Sequence, residues 1–273
     1  LNGIENRRND LAEAISLEMG APIKLSLTTQ IDMGLDHLKN TIDVLKDYKF
    51  EQAKDGYSEI RVPIGVVGLI TPWNWPLNQT LTKIASSIAA GCPIIIKPSE
   101  YSPLSMRLLI DVMHESNMPD GGFNVVNGIG SKLGPVISKH PDISMISFTG
   151  STEVGIQIQQ QAAQTIKRVS LELGGKSAHI VCDDVDLKKT IPMAINQCFI
   201  NSGQSCSAPT RLLVPRNKLG EVKEIALEHI KTINTGDPLD PITDLGPVVN
   251  KKQYNNVQRF IDKGINQSIE LLC

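Results

Sequence analysis

With 273 residues, 41% of them hydrophobic and 21% charged, the chain is long enough to bury one large core or two modest ones. A net charge of −2, from 27 basic and 29 acidic residues with no long basic run, leaves no electrostatic footprint for nucleic acid. The longest apolar stretches, residues 64–70 and 84–96, are too short or too interrupted by Gly91 and Pro93 to span a bilayer, so no membrane partner is expected. The five cysteines are odd in number, widely spaced and free of any CxxC pair. That argues against a disulfide framework and a metal site, and for a reducing, cytoplasmic compartment. The chain opens at Leu1 without a methionine and stops at Cys273 straight after the apolar Ile269-Glu-Leu-Leu272. It reads as a fragment, so the lack of a signal peptide carries no information about targeting.

Residues 1–46 have helical spacing: Leu11, Ala14, Ile15 and then Leu35, Leu38, Ile42, Leu45 recur at three- and four-residue intervals, broken by Gly20-Ala-Pro22. Residues 47–63 are polar and alternating (Tyr57, Glu59, Arg61 against Ser58, Ile60, Val62), which predicts an exposed hairpin. From residue 64 the pattern changes. Short β-rich runs at 64–70, 93–97, 123–126 and 145–148 are too apolar for strands with a solvated face and predict a buried parallel sheet. Between them, Leu77, Leu81, Ile84 and Ile88 form one helical face ending at Gly91, and Ser102-Pro103 supplies an N-cap and first-turn pair. Strand, helix, strand at this spacing is the βαβ unit of a doubly wound sheet, expected over 64–174. A second α/β series follows over 175–273: a strand at 177–181, a helix over 186–200, a cysteine-bearing loop, a strand at 211–214 and a helix over 217–233. The fold class expected is α/β, a doubly wound, Rossmann-like domain followed by the first part of a second α/β domain.

Several turns carry chemistry-bearing residues, each with a plain alternative. Gly128-Ile-Gly130-Ser-Lys-Leu-Gly134 is a near miss of the dinucleotide fingerprint, its third glycine one residue late, and reads equally as an ordinary βα loop. In Phe148-Thr-Gly150-Ser151-Thr152 a helix N-terminus could meet a phosphate, or Ser151 could simply cap the helix. Lys97-Pro-Ser-Glu100 could bind ribose hydroxyls at a strand's carboxyl end, or be a solvated loop. Thr71-Pro-Trp73-Asn74-Trp75-Pro76 holds an asparagine between both tryptophans of the chain and two prolines. Such stiffness would aim the amide at a developing oxyanion; the alternative is a core turn with the amide capping the helix. Leu171-Glu172-Leu173-Gly174-Gly175-Lys176 sets a carboxylate in apolar company, where desolvation would raise its pKa and suit it to general-base work; the alternative is a surface glutamate on a half-buried strand. Asp183-Asp184-Val-Asp186 reads as a turn and helix cap. In Asn201-Ser-Gly-Gln-Ser-Cys206-Ser-Ala-Pro-Thr-Arg211 the thiol is either an incidental surface residue or a nucleophile on a flexible loop.

Taken together, "TPWNWP", "KPSE", "FTGST", "LELGGK" and "GQSC", with the glutamate 34 residues before the cysteine, follow one order, and the chain closely resembles the aldehyde dehydrogenases. The resemblance implies that Cys206 is the nucleophile, that Asn74 and the Cys206 N–H hold the oxyanion, and that Glu172 activates the water that hydrolyses a thioester. It implies NAD as cofactor, NADP being the alternative, with Lys97 and Glu100 at the adenosine ribose, Gly130 near the adenosine, and Ser151 and Trp73 near the pyrophosphate. Ile70, Thr71, Gly150 and Gly174 complete the cofactor set, and Glu100 should repel a ribose 2′-phosphate. Residues 47–63 become an oligomerisation hairpin, in a homodimer or homotetramer, and 175–273 an incomplete catalytic domain.

The family's later segment, which adds a second ribose-binding carboxylate, tunnel wall and an intersubunit strand, has no counterpart before Cys273, so the fragment alone is expected to be poorly soluble and inactive. Trp75, Gln79, Thr82, Ser205 and Ser207 stand beside the motifs at positions expected to face the substrate, a polar set that points to a small or polar aldehyde. Two other functions stay open: a relative that passes the thioester to phosphate or coenzyme A, which Glu172 argues against, and a catalytically silent structural paralogue.

Overall fold

The computed structural model describes residues 1–273. They form two compact units, one of residues 1–18 and 26–173, the other of residues 19–25 and 174–273.

The chain starts with α1 (Asn2–Asn6), α2 (Arg8–Met19) and the single turn α3 (Ile23–Leu25), followed by a wide π turn (Ser26–Gln30) and α4 (Ile31–Asp47). The expected break is real: α2 stops before Gly20, whose φ of +82° only glycine adopts without strain, and a Cβ there would lie 2.2 Å from the Pro247 carbonyl oxygen. The hairpin pairs β1 (Glu51–Lys54) with β2 (Tyr57–Ile60) in antiparallel register around Asp55-Gly56, the glycine again left-handed.

The first unit is built on five strands, β3 (Val66–Ile70), β4 (Ile94–Lys97), β5 (Phe123–Val125), β6 (Ile143–Gly150) and β7 (Arg168–Leu173), in the order β5-β4-β3-β6-β7 with every pairing parallel. The chain leaves the central β3 in one direction to β4 and β5, then crosses back to β6 and β7. The order therefore reverses between β3 and β6, and in open α/β sheets that reversal opens a ligand crevice at the strands' carboxyl ends. Helices α5 (Pro76–Ala89), α6 (Pro103–Glu115), α7 (Gly130–Lys139) and α8 (Thr152–Ala162) make the crossovers. On one face Ile137 of α7 and Ile158 and Ala162 of α8 pack with Ile70, Ile143, Ile146 and Phe148 in a dry core.

Two details depart from the sequence reading. Strand β7 was missed as a strand of the main sheet because its residues alternate polar and apolar, as an edge strand's do. Pro103 does open α6, but the Ser102 hydroxyl makes no capping bond. Glu18 of α2 takes that role: its carboxylate accepts from the Leu104 N–H at 2.6 Å, from the Ser105 N–H and from the Ser105 hydroxyl. A carboxylate there also meets the positive end of the helix dipole.

In the second unit β8 (Ala178–Ile180) pairs in parallel with β9 (Arg211–Leu213), joined through α9 (Leu187–Phe199) and a 3-10 turn (Ile200–Gly203). Asp186 caps α9, its carboxylate accepting from the Lys188 N–H at 3.0 Å, as its cluster predicted. A 3-10 turn (Arg216–Lys218) leads into α10 (Leu219–Ile230), and the two helices close a core of Val181, Leu187, Ile191, Ile195, Val222 and Ala226. Helix α11 (Lys251–Asn266) buries no residue, and its polar sequence gave no helical expectation. No helix is long and apolar enough to cross a membrane.

Candidate active site

The segment after β3 is held from both sides. The Thr71 N–H donates to the Lys97 carbonyl at 3.2 Å, and Thr80 of α5 donates its hydroxyl to that of Thr71, both threonines buried. Pro76 opens α5 and Trp75, 7% exposed, occupies the N-cap position without a side-chain capping bond. Asn74 is half-buried beside the half-buried Trp73, and its carbonyl accepts from Gln30 Nε2 at 3.2 Å. Packed indoles, two prolines and a cross-chain hydrogen bond fix this turn at the carboxyl end of the central strand.

Three predicted residues from two separate segments meet at the end of β4. Lys97, with its side chain 3% exposed, puts Nζ 2.6 Å from Glu100 Oε2, and the N–H of Gly130, first residue of α7, donates to Glu100 Oε1 at 3.1 Å. Burial pushes the Glu100 carboxyl up, but hydrogen bonds from Lys97 and from backbone N–H groups, with the lysine's charge, outweigh it and hold the carboxyl below the usual range. Glu100 is thus ionised at neutral pH. A Cβ on Gly130 would stand 3.6 Å from Lys97 Nζ and 3.7 Å from Glu100 Oε2, so the glycine lies against this pair.

At the end of β6 the Ser151 hydroxyl caps α8, accepting from the Val154 N–H at 3.4 Å. Gly150 is required by packing: a Cβ would fall 2.4 Å from the Phe148 ring. Between them and the dry core, the buried Thr149 hydroxyl has no hydrogen-bond partner, a group that no motif-level reading singled out. An orphaned hydroxyl at the carboxyl end of a strand beside the order reversal is placed to receive a ligand.

Glu172 takes the plainer of the two environments its motif allowed, an exposed glutamate on a half-buried strand. Its leucine neighbours do not desolvate it, because successive residues of a strand face opposite sides of the sheet. Leu171 and Leu173 pack on the dry face with α8, whereas Glu172 is exposed and shares the other face with Ser147, Ser170 and Lys83 of α5. Lys83 is the buried charge instead: its Nζ donates to Ser147 Oγ at 2.8 Å, and burial lowers its pKa to about 8, partly opposed by the charge of Glu172. A lysine on an amphipathic helix face signals nothing by itself, and only the sheet's register brings it under β6 and β7.

Cys206 is half-buried in the second unit, on a loop that is braced rather than flexible. Asn201 and Ser202 both hold left-handed backbone (φ 57° and 57°) ahead of Gly203 (φ 74°). This conformation costs roughly 1–2 kcal/mol per non-glycine residue, least for asparagine. Four hydrogen bonds offset it, each worth about 1 kcal/mol. Asn201 Nδ2 donates to the Gln204 carbonyl, Gln204 Nε2 to the Asn201 carbonyl, the Ser202 hydroxyl to the Gly246 carbonyl, and the Val249 N–H to Gln204 Oε1. "NSGQ" is therefore the frame of the thiol loop. Gly175 lies against it, its Cβ position 3.6 Å from the Cys206 carbonyl, while Gly174 has open space around it. Ser205 is half-buried and Ser207 exposed; in the first unit Gln79 is half-buried and Thr82 is exposed, its hydroxyl donating to the Asn78 carbonyl at 2.8 Å.

The sequence model described as "Aldehyde dehydrogenase family" matches residues 1–273. The chain is 44% identical over 270 residues to a 3-succinoylsemialdehyde-pyridine dehydrogenase of a Pseudomonas species, covering 98% of this chain and 57% of that protein. Among solved structures it is similar to aldehyde dehydrogenase C of Pseudomonas syringae, crystallised as a cysteine-to-alanine mutant with NAD+ and octanal (46% identity, TM-score 0.98, 100% of this chain and 56% of that one). It is also similar to a betaine aldehyde dehydrogenase of Staphylococcus aureus in complex with NAD+ (31% identity, TM-score 0.94, 97% and 54%). The chain thus spans little more than half the length of these relatives.

Proposed function

Because this chain belongs to the aldehyde dehydrogenase family, we propose that it carries the cofactor-binding and nucleophile-bearing part of an enzyme that oxidises an aldehyde to a carboxylic acid with NAD. The observation that carries the cofactor half is the cluster of Lys97, Glu100 and Gly130 at the carboxyl edge of a doubly wound sheet. The residues present fit a dinucleotide: an ionised carboxylate and a buried ammonium for ribose hydroxyls, the α8 N-terminus at Gly150 and Ser151 with Trp73 for the pyrophosphate, and the orphaned Thr149 hydroxyl, with Ile70 and Thr71, along its path. Ionised Glu100 disfavours a 2′-phosphate, so NAD is preferred over NADP; Glu100→Gln should lower the ratio of kcat/KM for NAD to that for NADP, and an unchanged ratio would remove the idea.

In the proposed chemistry the Cys206 thiolate adds to the aldehyde carbon, and the Asn74 side-chain amide with the Cys206 N–H holds the resulting oxyanion. When bound, NAD supplies the two-electron acceptor that brings this carbon to the oxidation level of an acid, as a thioester on Cys206. Glu172 then takes a proton from the water that attacks the acyl carbon, and the thiolate leaves. Its exposed, solvated position on the polar face of the sheet suits a group that must exchange protons with water.

In the intact protein Cys206→Ala should abolish NADH formation, whereas Glu172→Gln should keep a single-turnover burst and lose steady-state rate by roughly 10²–10⁴-fold. A Glu172→Gln enzyme restored to full turnover by coenzyme A or phosphate would instead favour acyl transfer to those acceptors. The polar Gln79 and Thr82 support a small or polar aldehyde, a choice the octanal complex of the Pseudomonas syringae relative makes worth testing. A kcat/KM for octanal well above that for short polar aldehydes would overturn it. The exposed Tyr57, Ile60 and Val62 of the hairpin are the part we assign to subunit contact, in a homodimer or homotetramer. Light scattering of a hairpin-charged variant such as Ile60→Lys, if it left the oligomer intact, would refute that assignment.

A further inference from the structure

Glu100 stands on a loop, residues 98–102, that runs from the end of β4 to the start of α6. At the β4 end the sheet fixes it: the Lys97 carbonyl accepts from the Thr71 N–H at 3.2 Å, and the Ile96 carbonyl from the Val126 N–H at 2.9 Å. Inside the loop the Tyr101 N–H donates to Ser99 Oγ and the Ser102 N–H to the Ser99 carbonyl, with Ser99 and Ser102 both buried. Those bonds shape the loop and leave its far end, where α6 begins, to be fixed by something else. Ser102 does not fix it: its hydroxyl makes no capping bond, and its ψ of 59° lies outside the extended range of a capping residue. Pro103 has no N–H to offer.

The N–H groups of Leu104 and Ser105, in the first turn of α6, go instead to the Glu18 carboxylate, which also accepts from the Ser105 hydroxyl. Glu18 is carried on α2, a helix seated through Leu11, Ala12 and Ile15, each wholly buried. The same segment grips the other end of α6. Arg7 pairs with Glu115, the last residue of that helix, and a Cβ on Gly3 would fall 2.8 Å from Val112. Each charge suits its end of the helix dipole, the carboxylate at the N-terminus and the guanidinium at the C-terminus. Helix α6 is thus a rod held at both ends, and its start sets where residues 98–102 must finish.

We propose that Glu18 is a positioning residue for the nucleotide: by fixing the first turn of α6 it holds the Glu100 carboxylate against Lys97 and the Gly130 N–H, and so sets the affinity for the adenosine ribose. The inference rests on reading that cluster as the ribose site. Tyr101 and Ser102 alone separate Glu100 from the helix, so a shift of its start passes to Glu100 with little loss. Without the Glu18 carboxylate, Ser102 is the residue placed to cap α6, and its backbone must turn into the extended region to do so. That turn carries Glu100 away from Gly130 and weakens its discrimination against a 2′-phosphate.

The test measures the Ki of 5′-AMP against NAD in the intact protein, with kcat and with KM for NAD and NADP. Glu18→Ala should raise the Ki about five- to tenfold, the worth of roughly one hydrogen bond, lower the ratio of kcat/KM for NAD to that for NADP, and move kcat at saturating NAD far less. Glu18→Gln, which keeps one acceptor oxygen, should show the same changes at about twofold, and decides the matter alone if the alanine variant fails to fold. Asp186→Ala, which removes a helix cap in the second unit, should leave the Ki where it was. If the Glu18 variants leave the Ki and the ratio unchanged while Glu100→Gln raises the Ki, Glu18 is a helix cap alone and the proposal falls with the ribose site intact. A rise with Asp186→Ala equal to that with Glu18→Ala marks general loosening and also overturns it. If Glu100→Gln itself leaves the Ki unchanged, the ribose reading fails and takes this inference with it.

Discussion

The two faces of the five-stranded sheet differ in kind along β6 and β7, although toward α5 the neighbouring β3 and β4 still bury Val67, Leu69, Ile94 and Ile96. Toward α7 and α8, Ile146, Phe148, Val169, Leu171 and Leu173 form a dry core; toward α5, Ser147, Ser170, Glu172 and Lys83 line a cavity whose remaining wall includes Val67 and Met145. Adjacent residues of one strand thus serve stability and chemistry in turn, because the strand repeat is two residues. The dry face is paid for by burial, while the polar face costs stability and is where reactive groups can stand. Phe148 and Ser147 are neighbours in sequence and lie on opposite sides of that division.

The largest expected effect tests the division directly. Phe148→Ala should destabilise the protein by about 3–5 kcal/mol in urea unfolding, through lost burial and a residual cavity. Ser147→Ala should cost no more than about 1–2 kcal/mol, its loss being one hydrogen bond to Lys83. If the two variants cost the same, the faces are not energetically distinct.

The next effect concerns the charge on the polar face. The folded pKa of Lys83, about 8, lies below its ordinary 10.5, so between these values the unfolded chain binds more protons and stability rises with pH. At about 1.4 kcal/mol per pKa unit the shift is worth on the order of 3 kcal/mol, which should appear as a stability difference between the unsubstituted protein and Lys83→Met that closes as pH rises from 8 to 10.5. A pH-independent difference would show that Lys83 is not desolvated as its surroundings imply.

The smallest effect lies at the α2–α6 junction. Removing the cap with Glu18→Ala should cost about 1–2 kcal/mol, and Glu18→Gln, which keeps an acceptor, less than half of that. Burial outweighs the hydrogen bonds and raises the Glu18 pKa. The stability linked to its protonated form is therefore fully present below the ordinary value of 4.5 and is lost as pH rises through the folded value. Chemical denaturation at pH 4 and pH 7 should show the Glu18→Gln deficit grow smaller at the higher pH.

Most of the secondary structure could be read from hydrophobic period and turn chemistry. The four apolar strand runs, the hairpin, the Asp186 cap and the helix start at Pro103 each rest on residues that act within a few positions of themselves. What was missed depends on distance in the chain. Glu18 caps a helix 86 residues away, whereas α11 was legible and went unread, since Tyr254, Val257, Phe260, Ile261 and Ile265 recur at helical spacing. For Glu172 the sequence allowed a buried or an exposed carboxylate, and the alternation of "LEL" on a strand of known register decides for the exposed one.

The sequence by itself determined the local choices and, through five ordered motifs, the family. Those motifs are short because backbone turns, caps and nucleophile loops are local devices. Only the tertiary structure decided the strand order, which sets the order reversal between β3 and β6 and brings Gly130 from one crossover against Lys97 and Glu100 of another. It alone put Lys83 under Ser147, because parallel register, which no single strand encodes, fixes which residues of neighbouring strands share a face.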